Sequence, residues 1–106
     1  MRDRFLQFLG LAKKAGKLLE GYNKSEEAIK KNKAYLVILS TELSENSKSK
    51  FKKYCMDRNI PYIETYSNAS LGEIVGRAEI NVLCVTDESM SKQLIILNEA
   101  LENNRG

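Results

Sequence analysis

The stretch from Leu11 to Leu39 brings together residue types suited to holding a polyanion: a lysine-rich segment, a glycine turn, an asparagine helix start and a buried strand. The first 33 residues carry nine Lys or Arg (Arg2, Arg4, Lys13, Lys14, Lys17, Lys24, Lys30, Lys31, Lys33) against four acids (Asp3, Glu20, Glu26, Glu27), a local balance of +5. The remainder sums to −2, so the whole-chain charge of +3 hides the polarity. Charge concentrated on one part of a small domain creates a field whose natural partner is a polyanion. Covalent and acid–base chemistry have fewer means here. The chain has no His, the usual metal ligand and the usual general base near neutral pH. Cys55 and Cys84 stand alone in apolar surroundings, lack zinc-site or disulfide-framework spacing, and read as inert core residues. No catalytic residue, metal site or cofactor is expected.

Those side chains must be positioned by a small fold. With 106 residues, 42% of them hydrophobic, the chain is expected to form one domain over residues 1–106 with a real core. The longest apolar run, Ala34 to Leu39, is far short of a membrane span, and no signal-like segment follows the charged start. A cytoplasmic protein acting as a monomer, with no membrane partner, is the expectation.

Strands and helices alternate. Phe5, Leu6, Leu9 and Ala12 recur at helical spacing, so residues 3–15 read as a first helix ended by Gly16. Lys17 to Glu20 reads as a short strand and Gly21 as a turn. Asn23 reads as the N-cap of a second helix, with Glu26 completing a capping box, and that helix runs to about Asn32. Tyr35–Leu39 is a continuous apolar run, the mark of a strand covered on both faces. Ser44 opens a third helix, closed by Asn59. Phe51, Tyr54 and Cys55 line its buried side, while Lys48, Lys50, Lys52 and Lys53 are expected to point largely outward as a solvated face. Pro61 leads into a strand over Tyr62 to Thr65. Ser70 and Glu73 form a second capping-box pattern that opens a short helix ended by Gly76. Asn81 to Thr86 reads as another buried strand, Asp87 caps a last helix with a Met90, Leu94, Leu97, Leu101 stripe, and Asn103 to Gly106 reads as a frayed tail. The pattern predicts an α/β fold, a three-layer α/β/α sandwich around a central mixed sheet of about four strands.

The order of short motifs, L-G-L-A-K-K-A-G-K-L-L-E-G, G-Y-N-K, A-Y-L-V-I-L, N-I-P-Y, L-G-E-I-V-G and V-L-C-V-T-D, resembles the ribosomal L-seven-Ae/L-thirty-e family, whose members bind kink-turn RNA. Its bacterial branch is the most similar. The resemblance covers roughly residues 5 to 100. It implies a noncatalytic, ribosome-associated role and a site built from the start of the second helix and the loop before the last core strand. The family's helix start reads Gly-x-Asn-Glu with a lysine three positions later. Gly21 and Asn23 match, while Lys24 and Glu27 reverse the charges of the other pair. The second part of the site maps to Arg77, Ala78, Glu79, Ile80 and Asn81, a more polar version of the family's apolar loop.

The residue types suit that role. Asn offers a donor and an acceptor on a short side chain that can reach base edges exposed by a kinked RNA. A helix start presents free N–H groups and partial positive charge to phosphate, and Gly21 admits close backbone approach. Lys13, Lys14, Lys17, Lys30, Lys31 and Lys33 can neutralise flanking phosphates, and Tyr22 can stack on a base. The expected partner is structured RNA, ribosomal or another kink-turn-like RNA. Plainer readings stand beside these: Asn23 as a cap, Tyr22 as a packing residue at the helix entrance, Lys30, Lys31 and Lys33 as a solvated helix end, Ile80 as the start of a core strand. Two other classes stay open, a protein-interaction module on the same fold and a small receiver-like or enzymatic domain with Asp87 as phosphoacceptor.

Overall fold

A computed structural model describes residues 3–105 of the chain, and side chains through residue 103. The elements run α1 (Arg4–Lys14), β1 (Leu18–Glu20), α2 (Tyr22–Lys30), β2 (Leu36–Leu39), α3 (Glu45–Arg58), β3 (Tyr62–Ile63), α4 (Asn68–Val75), β4 (Val82–Val85) and α5 (Glu88–Arg105). The four strands form one mixed sheet in the order β1-β4-β2-β3. β4 is antiparallel to β1, with Glu20 opposite Leu83, and antiparallel to β2, with Leu39 opposite Val82. β3 runs parallel to β2, Val37 opposite Tyr62.

The central strands β2 and β4 are buried at every position, as their unbroken apolar runs require. Successive side chains alternate between faces. Leu36, Ile38, Leu83 and Val85 join Phe5 and Leu9 of α1, Leu71 and Val75 of α4 and Leu94 of α5 in one core cluster. Val37, Leu39 and Val82 join Ile29 of α2 with Phe51 and Cys55 of α3 in the other. The sheet therefore lies between two helical layers, the expected sandwich. Each fully buried Leu, Ile or Phe contributes about 1.5–3 kcal/mol relative to leaving it in water.

Local chemistry sets the element ends. Asp3 caps α1 by accepting from Leu6 N at 2.8 Å, and Asp87 caps α5 by accepting from Met90 N at 2.9 Å. Ser44 caps α3, and Asn59 closes it in the left-handed conformation with φ 57. Three expectations are corrected. The N-cap of α4 is Ser67, not Ser70; Ser70 lies one turn inside and donates its N–H to Ser67 Oγ at 3.1 Å. Lys48 is buried rather than outward, because Lys48, Phe51 and Cys55 share one face of α3. Its ammonium meets Glu64 at 2.9 Å and donates to the Thr41 carbonyl at 2.8 Å. The last helix continues through Arg105, past the expected fray at Asn103, while Gly106 lies outside the described residues.

Candidate nucleic-acid interface

The second helix starts without a side-chain cap. Strand β1 ends at Glu20, and Gly21 takes φ 103 and ψ 167, a conformation that L side chains rarely adopt, to turn the chain directly into α2. A Cβ at Gly21 would meet nothing within 4 Å, so the backbone angle and not space selects glycine. Gly21 is the N-cap, correcting the assignment of that role to Asn23. Asn23 occupies the second helical position with its side chain exposed. Glu26 completes no capping box either; it accepts from Tyr54 Oη at 2.8 Å and pairs with Lys50 at 2.8 Å. The first turn of α2 thus presents uncapped backbone N–H groups, the Asn23 amide and the exposed Lys24 ammonium together, a favourable surface for anions and polar edges.

The loop before β4 lies against this helix start. Gly21 donates its N–H to Val82 O at 2.9 Å, joining the turn to the first residue of β4. Asn81 accepts from Ser40 Oγ through its side-chain oxygen at 2.6 Å, and its carbonyl accepts from Ser40 N at 2.9 Å. Arg77 reaches Glu20, its Nε donating to Oε1 at 2.9 Å, and Lys13 pairs with the other Glu20 oxygen. Burial pushes the Glu20 carboxyl upward, but hydrogen bonds and charge from Lys13 and Arg77 outweigh it and hold it below its ordinary value. The loop also rests on α4. A Cβ added to Gly72 would fall 2.6 Å from Glu79 Cα and 2.9 Å from Arg77 O, so only glycine lets the backbones approach this closely.

The structure therefore brings Gly21, Asn23, Lys24, Arg77 and Asn81 to one end of the sheet. Ala78 and Glu79 are exposed on the same loop. Ile80 is corrected: its side chain is in the core at 7% exposure and presents no apolar platform. Tyr22 packs edge-on against Phe51, ring centroids 4.9 Å apart, with Lys50 Nζ 5.2 Å from its ring. Lys30 is the last residue of α2, about 10 Å along the helix from Asn23, and Lys31 and Lys33 follow in the turn beyond it. Lys24, Glu27, Lys31 and Lys33 line an open groove of about 330 Å³ floored by Leu19 and Ala28.

The candidate cations differ in availability. Lys31 donates to Glu27 at 2.8 Å, and that hydrogen bond, then the Lys31 charge, holds the Glu27 carboxyl below its ordinary value. Lys13 is engaged by Glu20. Lys30 Nζ lies 5.6 Å from the Tyr54 ring. Among the described residues, Lys14, Lys17, Lys24, Lys30 and Lys33 make no ion pair. Sequence reasoning missed Glu20, Ser40 and Gly72. Glu20 adjoins Gly21, and Gly72 stands in the L-G-E-I-V-G motif, but their partners are distant along the chain. Both thiols are free and buried, and burial raises Cys55 to about 11, while burial with the neighbouring Cys55 raises Cys84 to about 12. No helix of the described residues is long and apolar enough to cross a membrane.

This sandwich, with its glycine-initiated helix beside the loop before β4, has counterparts. The family model described as Ribosomal protein L7Ae/L30e/S12e/Gadd45 family matches residues 3–96, and the chain belongs to that family. Among its relatives, RNA-binding protein YlxQ of Bacillus subtilis (strain 168) is 34% identical over 89 residues, 84% of this chain and 89% of the relative. RNA-binding protein YlxQ of Enterococcus faecium is 29% identical over 92 residues, 87% of this chain and 88% of the relative. A solved structure described as a protein with unknown function from Bacillus halodurans C superposes with a TM-score of 0.88 at 31% identity, covering 91% of this chain and 97% of that one.

Proposed function

We propose that this protein is a nonenzymatic, ribosome-associated RNA-binding protein that recognises a kinked or internally looped RNA helix. The observation that carries the reading is the uncapped start of α2, where exposed Asn23 and Lys24 stand beside the Arg77–Asn81 loop, in a chain of this family. The curated relatives named as RNA-binding proteins support the same reading. The Asn23 amide reads an exposed base edge, and the free helix N–H groups and Lys24 take phosphate. Lys14, Lys17, Lys30 and Lys33 neutralise flanking phosphates, with Lys13 and Lys31 held partly by their acids. Lys24 cannot accept from a guanine amino group as a glutamate can, but it can donate to guanine N7 and O6.

Titration with a kink-turn RNA and a straight duplex of equal length, each at several salt concentrations, tests this. Four to six neutralised phosphates give a slope of log K against log salt of roughly −3 to −5, with the kinked RNA bound more tightly. A flat salt response, or no binding to either RNA, contradicts the reading. The double change Lys24→Glu with Glu27→Lys leaves net charge unchanged and is expected to improve the kink-turn preference.

A further inference from the structure

Glu20 puts a negative charge inside the most basic part of the molecule, immediately before the Gly21 turn, with its side chain only 13% exposed. One oxygen takes Arg77 Nε at 2.9 Å and the other takes Lys13 Nζ. A single carboxylate thereby joins the end of α1, the end of β1 and the loop before β4, three segments separated by up to 64 positions between Lys13 and Arg77. Acting through charge alone, it would repel any RNA that approaches. Its geometry gives it another use. A guanidinium carries five N–H donors in a rigid plane. With Nε occupied by Glu20, the edge formed by the two terminal NH₂ groups remains, and among the described residues those groups bond to no acceptor. The Arg77 side chain is 57% exposed, so that edge is open to a ligand.

We propose that Glu20 is a positioning residue of the RNA site: it fixes Arg77, with Lys13, beside the start of α2, so that the outer edge of Arg77 grips a phosphate placed there only by a bent RNA. The inference rests on the RNA-binding reading above. It assigns to Glu20 the preference for bent over straight RNA rather than affinity in general. The two roles have opposite signatures. Removing a negative charge strengthens binding to every RNA alike. Releasing Arg77 from its fixed place weakens binding to bent RNA selectively, because an oriented fork becomes one mobile cation among several.

The test combines Glu20→Gln, Glu20→Ala and Arg77→Lys with two readouts. The first is the Arg77 Nε–Hε signal in ¹⁵N-edited NMR of the free protein. It is expected to be displaced and slow to exchange in the parent and to move in both Glu20 variants. The second is the ratio of affinities for a kinked RNA and a straight duplex at fixed salt. The ratio is expected to fall roughly tenfold in Glu20→Ala and in Arg77→Lys, the effect of losing one well-placed charge-assisted contact. Straight-duplex affinity stays level or rises in Glu20→Ala. Glu20→Gln keeps an acceptor for Nε and should fall between. Arg77→Lys changes an exposed side chain, so the ratio remains measurable if a Glu20 variant unfolds. An unchanged ratio in Arg77→Lys and Glu20→Ala overturns the role given to Glu20. An Arg77 signal that ignores Glu20→Gln overturns the clamp itself. A parent that binds both RNAs equally contradicts the RNA reading instead, so the two failures are distinguishable.

Discussion

Replacing Asn23 separates reading an RNA from holding the helix. Asn23 follows the Gly21 cap by two positions, and its side chain is exposed. Asn23→Ala therefore removes no cap. Ala exceeds Asn in helix propensity by up to about 0.7 kcal/mol. With ~4–8 °C per kcal/mol for a domain of this size, the melting temperature should stay level or rise by up to about 5 °C. Asn23→Asp gains about 0.3–1 kcal/mol from the helix dipole, which again gives no loss. Both variants should lose RNA affinity. One base contact is worth about 1–3 kcal/mol, or roughly a 5- to 150-fold weaker Kd, and Asp adds repulsion of phosphate. Thermal melts and titrations of both variants against a kinked RNA measure the two effects separately. A melting temperature lowered by several degrees in Asn23→Ala would show that the residue caps the helix after all, since losing a cap costs about 1 kcal/mol. Unchanged RNA affinity in both variants would place base reading elsewhere.

Three further outcomes follow from the geometry. Lys14→Ala and Lys33→Ala should each reduce the salt slope by about one, while Lys31→Ala, whose charge is engaged by Glu27, should reduce it by less; equal reductions in all three would refute the distinction. Gly72→Ala forces a Cβ into the backbone of the Arg77–Glu79 loop, so it should cost about 1–3 kcal/mol in a thermal melt and weaken RNA binding; a variant unchanged in both would show that the loop does not depend on this seat. Acid should destabilise the protein. Burial raises Glu20, but Lys13 and Arg77 bring it below its ordinary value; the Lys50 and Tyr54 hydrogen bonds lower Glu26, and the Lys52 and Lys48 hydrogen bonds lower Glu64. Groups lowered on folding contribute stability that is complete above the ordinary carboxylate range and is lost as the pH falls through their folded values. Denaturant midpoints that stay flat between pH 7 and about pH 3 would contradict this.

The central strands were legible in the sequence because Leu36–Leu39 and Val82–Val85 are unbroken apolar runs, and hydrophobic burial over both faces overrides other signals. Helix starts were less legible. Asn23 with Glu26 satisfies the capping-box pattern, but a glycine able to take positive φ starts the helix sooner, and Glu26 is drawn away to Lys50 and Tyr54. At α4, Ser67 and Ser70 are three apart and both suit a cap; the Glu42 carboxylate accepts from Asn68 N at 2.7 Å and supports the earlier start. Lys48 shares the helical spacing of Phe51 and Cys55, yet its burial depends on Glu64 and the Thr41 carbonyl, which no local pattern supplies. The proximity of the two halves of the candidate site is likewise a product of sheet order. Gly21 meets Val82 because β1 is antiparallel to β4, and Arg77 meets Glu20 across 57 positions.

The most direct test of the central claim is amide chemical-shift mapping of the ¹⁵N-labelled protein during titration with a kink-turn RNA. The largest changes are expected at Gly21, Asn23, Lys24, Arg77 and Asn81, with smaller ones at Lys14 and Lys33. The groove at the other end of the sheet, lined by Tyr35, Ile60 and Ile95, should stay unperturbed. Changes concentrated in that groove, with the start of α2 unmoved at saturating RNA, would contradict it.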